Sequence, residues 1–287
     1  MELYDDDLSR FEACGAERLP DTSEEGYIEN KGARIWYAAY GSGSPVILLH
    51  GGLGHSGNWG YQVLPLVERG FRVVLMDSRG HGRSSRDARP FSYELMASDV
   101  LAVMDACHLE RSSLVGWSDG ACIALVLASI APGRVAGVFF FACNMDPSGV
   151  KPFEWTPRIR RCFARHKKDY AQMSATPDQF EELVADLTLM QRTQPNYTAE
   201  DLAEIKTLVV IAQGEWEEGI RRDHAEFLAE AIPNATFVLL KAVSHFAPLQ
   251  RPAQFTDAVV RFLANVFPLP AYGWQSRSID SQREAMN

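Results

Sequence analysis

Gly116-Trp117-Ser118-Asp119-Gly120 decides the reading of this 287-residue chain. It follows the apolar run Ser112 to Val115 and precedes a helical run, Ala121 to Ile130. A serine between two glycines at a strand-to-helix turn has the form of a nucleophile elbow. The requirement is steric, because the turn is so tight that the flanking positions must lack side chains. The hydroxyl is thrust out above the sheet at a helix N-terminus, where negative charge is favoured. The bland alternative is an ordinary serine in a glycine-rich turn.

A serine hydroxyl is a poor nucleophile until a base removes its proton. In this architecture the chain order is Ser, then acid, then His. His245 lies in Val243-Ser244-His245-Phe246-Ala247-Pro248, just after the last strand-like run, Phe237 to Leu240. That places it on the sheet edge that carries Ser118. Of the other histidines, His108 and His224 read as surface residues of helices, and His166 as part of a cap. His50 and His81 read as structural residues of glycine-rich turns, and His55 as a minor candidate. The acid belongs after the run Leu208 to Ala212, where Glu217 ranks first and Glu218 and Glu215 follow. Asp146, after the run Val135 to Phe141, is a fourth option. An oxyanion hole needs two backbone N–H groups. Asp119 supplies one, and His50-Gly51-Gly52-Leu53-Gly54 supplies the other from Gly52 or Leu53. A phosphate cradle fits that loop poorly, since it lacks both the GKS/GKT ending and the GxGxxG spacing.

Outward from these loops, short and nearly continuous apolar runs alternate with helical patterns. Val46 to Leu49, Val73 to Met76 and Val135 to Phe141 read as strands buried on both faces. Met96, Val100, Val103, Met104 and Cys107 share one helical face, as do Phe255, Val259, Phe262, Leu263 and Val266. The expected fold is α/β: a doubly wound, mostly parallel, eight-stranded sheet opened by an antiparallel pair that includes Arg34 to Tyr40. The core spans 26–145 and 205–267. Residues 146–204 read as a helical cap, 1–25 as a loose polar N-terminal arm and 268–287 as a C-terminal tail.

The cap carries Arg158, Arg161, Arg165 and Lys168 on one helical face and Ile159, Phe163, His166 and Tyr170 on another. Its basic side is expected in water, with the alternative that one arginine reaches an anionic substrate. Trp117, Trp155, Phe246 and Met145 are candidates for an apolar pocket, with plain core packing as the alternative.

The formal charge of −9 argues against a nucleic-acid partner. No apolar run reaches the roughly 18 residues that a membrane span needs. The N-terminus lacks the features of a secretion signal, and the five cysteines are scattered with no CxxC. A cytoplasmic protein with reduced thiols is expected, without metal or cofactor. A homodimer stays open.

HGG, Asp77 to Ser85 (DSRGHGRSS), GWSDG and VSHFAP together resemble the α/β-hydrolase superfamily over roughly 27–267. Epoxide hydrolases and haloalkane dehalogenases carry Asp at the elbow, whereas Ser118 stands here. GWSDG looks in particular like the biphenyl hydrolase-like, or valacyclovir hydrolase, group. That resemblance implies that Asp119 binds the α-ammonium of an aminoacyl ester; the alternative is a hydrogen bond within the protein. Superfamily members usually carry Asp where Glu217 stands.

The expected activity is that of a serine hydrolase acting on a small carboxylic ester, lactone or activated amide. Ser118, His245 and Glu217 would be catalytic, the N–H groups of Gly52 and Asp119 would form the oxyanion hole, and Asp119, Trp117 and Leu53 would contact substrate. A C–C bond hydrolase and a non-catalytic ligand-binding member of the fold are the rival readings.

Overall fold

The computed structural model describes residues 6–267. Its strands are β1 (Glu25–Asn30), β2 (Ala33–Tyr40), β3 (Ser44–Leu49), β4 (Phe71–Met76), β5 (Ser112–Trp117), β6 (Val135–Phe141), β7 (Leu208–Gly214) and β8 (Ala235–Leu240). They form one eight-stranded sheet in the order β1-β2-β4-β3-β5-β6-β7-β8. β1 pairs antiparallel with β2, and β2 with β4, while the other neighbours are parallel.

The described helices are α1 (Asp6–Cys14), α2 (Gly60–Val67), α3 (Tyr93–Ala106), α4 (Asp119–Ile130), α5 (Pro157–Met173), α6 (Phe180–Thr193), α7 (Ala199–Ala203), α8 (Arg222–Ala231), α9 (Ala247–Gln250) and α10 (Pro252–Val266). Alternate residues of each central strand feed opposite cores. Ile47 and Leu49 of β3, with Val138 and Phe140 of β6, join α3, α4 and α8 on one face. Val46, Leu48, Phe139 and Phe141 join α2, α9 and α10 on the other. Burial on both faces makes these strands continuously apolar in sequence.

The order β4-β3-β5-β6 creates a switch point. From β3 the chain continues to one side, and from β5 to the other. A crevice opens between their carboxyl ends, where doubly wound sheets hold their ligands. His50 to Leu53 follow β3 there, and Ser118 follows β5.

Between β6 and β7 every described element is helical apart from one isolated bridge, Val150 with Ile220. The N-terminal region differs from the loose arm that its polar composition suggests. Asp6–Cys14 is helical, and Leu8 and Phe11 are fully buried against the core that faces α9 and α10. Two apolar side chains on one face of a nine-residue helix are enough to dock it, whatever its mean polarity. The proposed tail, 268–287, lies outside the described residues.

Candidate active site

The β5–α4 turn has no room for side chains two positions to either side of Ser118. A Cβ on Gly116 would lie 2.3 Å from the Ala121 Cα, and one on Gly120 2.1 Å from the Leu49 carbonyl oxygen. Ser118 itself takes φ 54° and ψ −127°. That conformation costs on the order of 1–3 kcal/mol and persists only where the surroundings enforce it. They do: the Ser118 N–H donates to Phe141 O at 2.9 Å, and its carbonyl accepts from the Ala121 N–H at 2.7 Å. Ser118 is half-buried, so its hydroxyl is not sealed in the core.

Two loops bring His245 and its acid to the same edge. His245 follows β8, and Glu217 follows β7. The His245 Nδ1–H donates to Glu217 Oε1 at 2.8 Å. That oxygen also accepts from the N–H groups of Gly219 at 2.8 Å and Ile220 at 3.3 Å. Donation from Nδ1 leaves Nε2 as the free acceptor of the ring. The imidazole packs beside Trp117, ring centroids 6.2 Å apart, so it stands next to the residue that precedes Ser118. Burial alone would lower the imidazole pKa. The Glu217 charge and hydrogen bond, then Glu218 and Asp119, outweigh it and raise the pKa above its ordinary value.

The other carboxylates of the acidic loop face elsewhere. Glu218 accepts the His245 backbone N–H at 2.9 Å and pairs with Arg158 of α5. Glu215 binds Lys241 and the Ala242 N–H. Asp146 accepts the Ser148 N–H at 2.8 Å, capping a short helix.

The loop after β3 presses on the nucleophile. A Cβ on Gly51 would be 3.1 Å from the Ser118 Cβ, and one on Gly52 2.6 Å from the Asp119 carboxylate. Leu53 sits at φ 64°. His50 holds this loop as a neutral ring, its pKa pushed by burial down to about 4. Its Nε2 accepts the Ser78 N–H at 3.0 Å, and Nδ1 contacts Gly51 O at 2.8 Å. Asp119 opens α4, so its N–H has no acceptor within the helix.

The Asp119 side chain is buried. The Tyr93 hydroxyl donates to Oδ1 at 2.9 Å, and the Gln191 amide of α6 donates to Oδ2 at 2.9 Å. Burial raises its pKa against these two hydrogen bonds. Trp117 turns into the core, 3 % exposed, against Trp59 and Phe246. Tyr93 and Gln191 were not visible as site residues from sequence. They lie 26 and 72 positions from Asp119, and no local pattern marks either.

Two expectations are corrected here. His224 is not a surface residue: it is buried, and its Nε2 accepts the Met145 N–H at 3.1 Å. The basic face of α5 is in water only in part: Lys168 is exposed and Arg161 partly so, but Arg158 and Arg165 have side chains 12 % and 9 % exposed and paired with Glu218 and Asp169. Neighbouring carboxylates make burying these arginines tolerable. Among the described residues, no group of three His, Cys, Asp or Glu side chains could hold a metal ion, and no helix is long and apolar enough to cross a membrane.

Residues 44–220, more than half of the chain, match the family model of the alpha/beta hydrolase fold. The chain belongs to the α/β-hydrolase fold family. This α/β-hydrolase is 26 % identical over 247 residues to the serine hydrolase BPHL of Mus musculus, covering 81 % of this chain and 84 % of that one. It is 39 % identical over 106 residues to a non-heme haloperoxidase of Rhodococcus erythropolis, covering 37 % and 39 %. The first relatives are matched over about half of their length or less. An N-acyl homoserine lactone degrading enzyme superimposes with a TM-score of 0.67 at 27 % identity, covering 83 % of this chain and 100 % of that one. A meta-cleavage product hydrolase of Pseudomonas fluorescens, at 20 % identity and a TM-score of 0.71, shares the fold over 84 % and 97 %.

Proposed function

We propose that this α/β-hydrolase is a serine hydrolase cleaving a small carboxylic ester, lactone or activated amide through an acyl-enzyme on Ser118. The observation that carries this reading is the 2.8 Å bond from His245 Nδ1 to Glu217, beside a strained serine set between glycines. Ser118 Oγ attacks the carbonyl while His245 Nε2 takes its proton. Glu217 fixes the tautomer and offsets the charge on the imidazolium. The oxyanion rests on the N–H groups of Asp119 and Gly52. His245 then protonates the leaving oxygen or nitrogen, and water, activated by the same base, releases the acid. Serine hydrolase and lactone-degrading relatives support the reading.

Residues 146–204 serve in this proposal as the cap that selects substrate. Leu53, on the loop pressed against Ser118, shapes the floor, whereas Trp117, expected to touch substrate, is buried in the core and packs beside His245 instead. Asp119 is proposed to receive a substrate α-ammonium. Its support is a buried carboxylate that makes no ion pair among the described residues and has neutral donors on both oxygens.

The test is an ester panel varying acyl length, leaving group and an α-amino group, run on wild type, Ser118→Ala and Asp119→Ala. Hydrolysis lost in Ser118→Ala supports the acyl-enzyme. Turnover that survives Ser118→Ala overturns it. Aminoacyl esters that show no preference, or a preference unchanged in Asp119→Ala, remove the ammonium role alone.

A further inference from the structure

Glu218 joins cap helix α5 to the loop that carries His245. One carboxylate oxygen takes Arg158 of α5, and the other accepts the His245 backbone N–H at 2.9 Å. Both side chains of the ion pair are nearly buried, Arg158 at 12 % and Glu218 at 10 % exposure. Screening by solvent is therefore weak, and the pair acts at short range. The start of the cap is zipped to the same loop. Val150 bridges Ile220, the Lys151 N–H donates to Gly219 O at 2.8 Å, and the Arg221 N–H donates to Gly149 O at 2.8 Å. Lys151 Nζ reaches the Glu217 carbonyl.

The consequence is mechanical and electrostatic at once. His245 sits on a loop after β8, where a hydrogen bond on its own N–H limits how far the ring can shift. Its imidazole faces Glu217 and Glu218 of the β7 loop and Asp119 of α4. Arg158 of α5 pairs with the Glu218 carboxylate, and Lys151 of the cap entry donates to the Glu217 main-chain carbonyl. The charge of Glu218 is thus balanced by an arginine that belongs to the cap.

We propose that Glu218 is a positioning residue that couples docking of cap helix α5, through Arg158, to placement of the base His245. This rests on the serine-hydrolase reading above. It makes the substrate-selecting cap and the base a single unit: when Arg158 is seated, the backbone of His245 is fixed and the Glu218 charge is compensated.

The two partners act on the imidazole with opposite signs. Glu218→Gln keeps an acceptor for the His245 N–H but removes a negative charge and leaves Arg158 behind. The His245 pKa then falls. Arg158→Met leaves Glu218 uncompensated, and the pKa rises. The double variant falls between the singles. General destabilisation has no reason to move the pKa in opposite directions.

The experiment is an NMR titration of the His245 imidazole in the full-length protein without substrate, its signal assigned by its loss in His245→Asn. It is run on wild type, Glu218→Gln, Arg158→Met and the double variant. Opposite shifts in the single variants are expected. No shift in either, or shifts of the same sign, overturns the proposal. A parallel assay on the best ester of the panel should show kcat falling roughly 100-fold in Glu218→Ala, as for a misplaced base, with KM little changed and most of kcat restored in Glu218→Gln. An unchanged kcat in Glu218→Ala also overturns it. If wild type hydrolyses no ester, the serine-hydrolase reading fails separately, while the titration still reads the clasp.

Discussion

At the nucleophile turn, a methyl group on Gly120 would lie 2.1 Å from a backbone oxygen. The cap, by contrast, is tied to other elements by ion pairs. Arg158 reaches Glu218, Arg161 reaches Glu12 of α1, and Arg86 reaches Glu182 and Asp186 of α6. Steric exclusion does not respond to salt, whereas partly exposed charge pairs do. The sheet edge is therefore a rigid platform. The cap instead combines apolar packing, with Phe180, Leu183 and Met190 in the core, and ion pairs of which the more exposed ones, Arg161 with Glu12 and Arg86 with Glu182 and Asp186, are open to screening.

Four variants sharpen or break that contrast. Ser118→Ala should have the largest effect, lowering kcat by roughly a million-fold with the fold intact. Retained activity would move the chemistry off the edge. Glu217→Gln should follow, with a loss on the order of 10⁴-fold from the wrong imidazole tautomer. Its pH profile adds a sign. The base works only when neutral, so wild-type kcat/KM should fall as pH drops through a value above 6.5, where burial loses to Glu217, Glu218 and Asp119. Removing the Glu217 charge should move that acid limb to lower pH. An unmoved limb would deny Glu217 its place beside the base.

Phe11→Ala should come third. Phe11 is fully buried, and its truncation is expected to cost about 3 kcal/mol, read as a lower midpoint in chemical denaturation. A midpoint unchanged from wild type would mean that α1 adds nothing to the core. Arg86→Met should have the smallest effect. Arg86 is 15 % exposed, but its partners Glu182 and Asp186 are 62 % and 45 % exposed, so the stability loss should be about 1 kcal/mol or less. Its KM should rise a few-fold with kcat unchanged, and 1 M salt should reproduce this in wild type. A fall in kcat instead would make the cap as rigid as the edge.

The platform was more legible than the cap, for the same physical reason. Continuous apolar runs announced doubly covered strands, and glycines 116 and 120 announced a turn with no room. Both signals are local. The acidic loop was half legible: its position after β7 followed from chain order, but three glutamates within four residues differ only in where the loop turns them. Glu217 points to the imidazole, Glu218 to the His245 N–H, and Glu215 to Lys241.

The ion pairs that tie the cap to other elements join residues far apart in sequence. Arg158 and Glu218 are 60 positions apart, so a basic helical face reads as solvated until its partners are in view. The same holds for α1, whose composition is polar and whose docking depends on Leu8 and Phe11. Tyr93 and Gln191 converge on Asp119 from α3 and α6, and only tertiary packing brings them together.

The most direct measurement is intact and peptide mass spectrometry after treatment with a fluorophosphonate, on wild type and His245→Ala. One adduct on Ser118, formed rapidly in wild type and at least a hundred-fold more slowly in His245→Ala, is the predicted result. An adduct on another residue, or equal labelling rates in the two proteins, would contradict a serine activated by that imidazole.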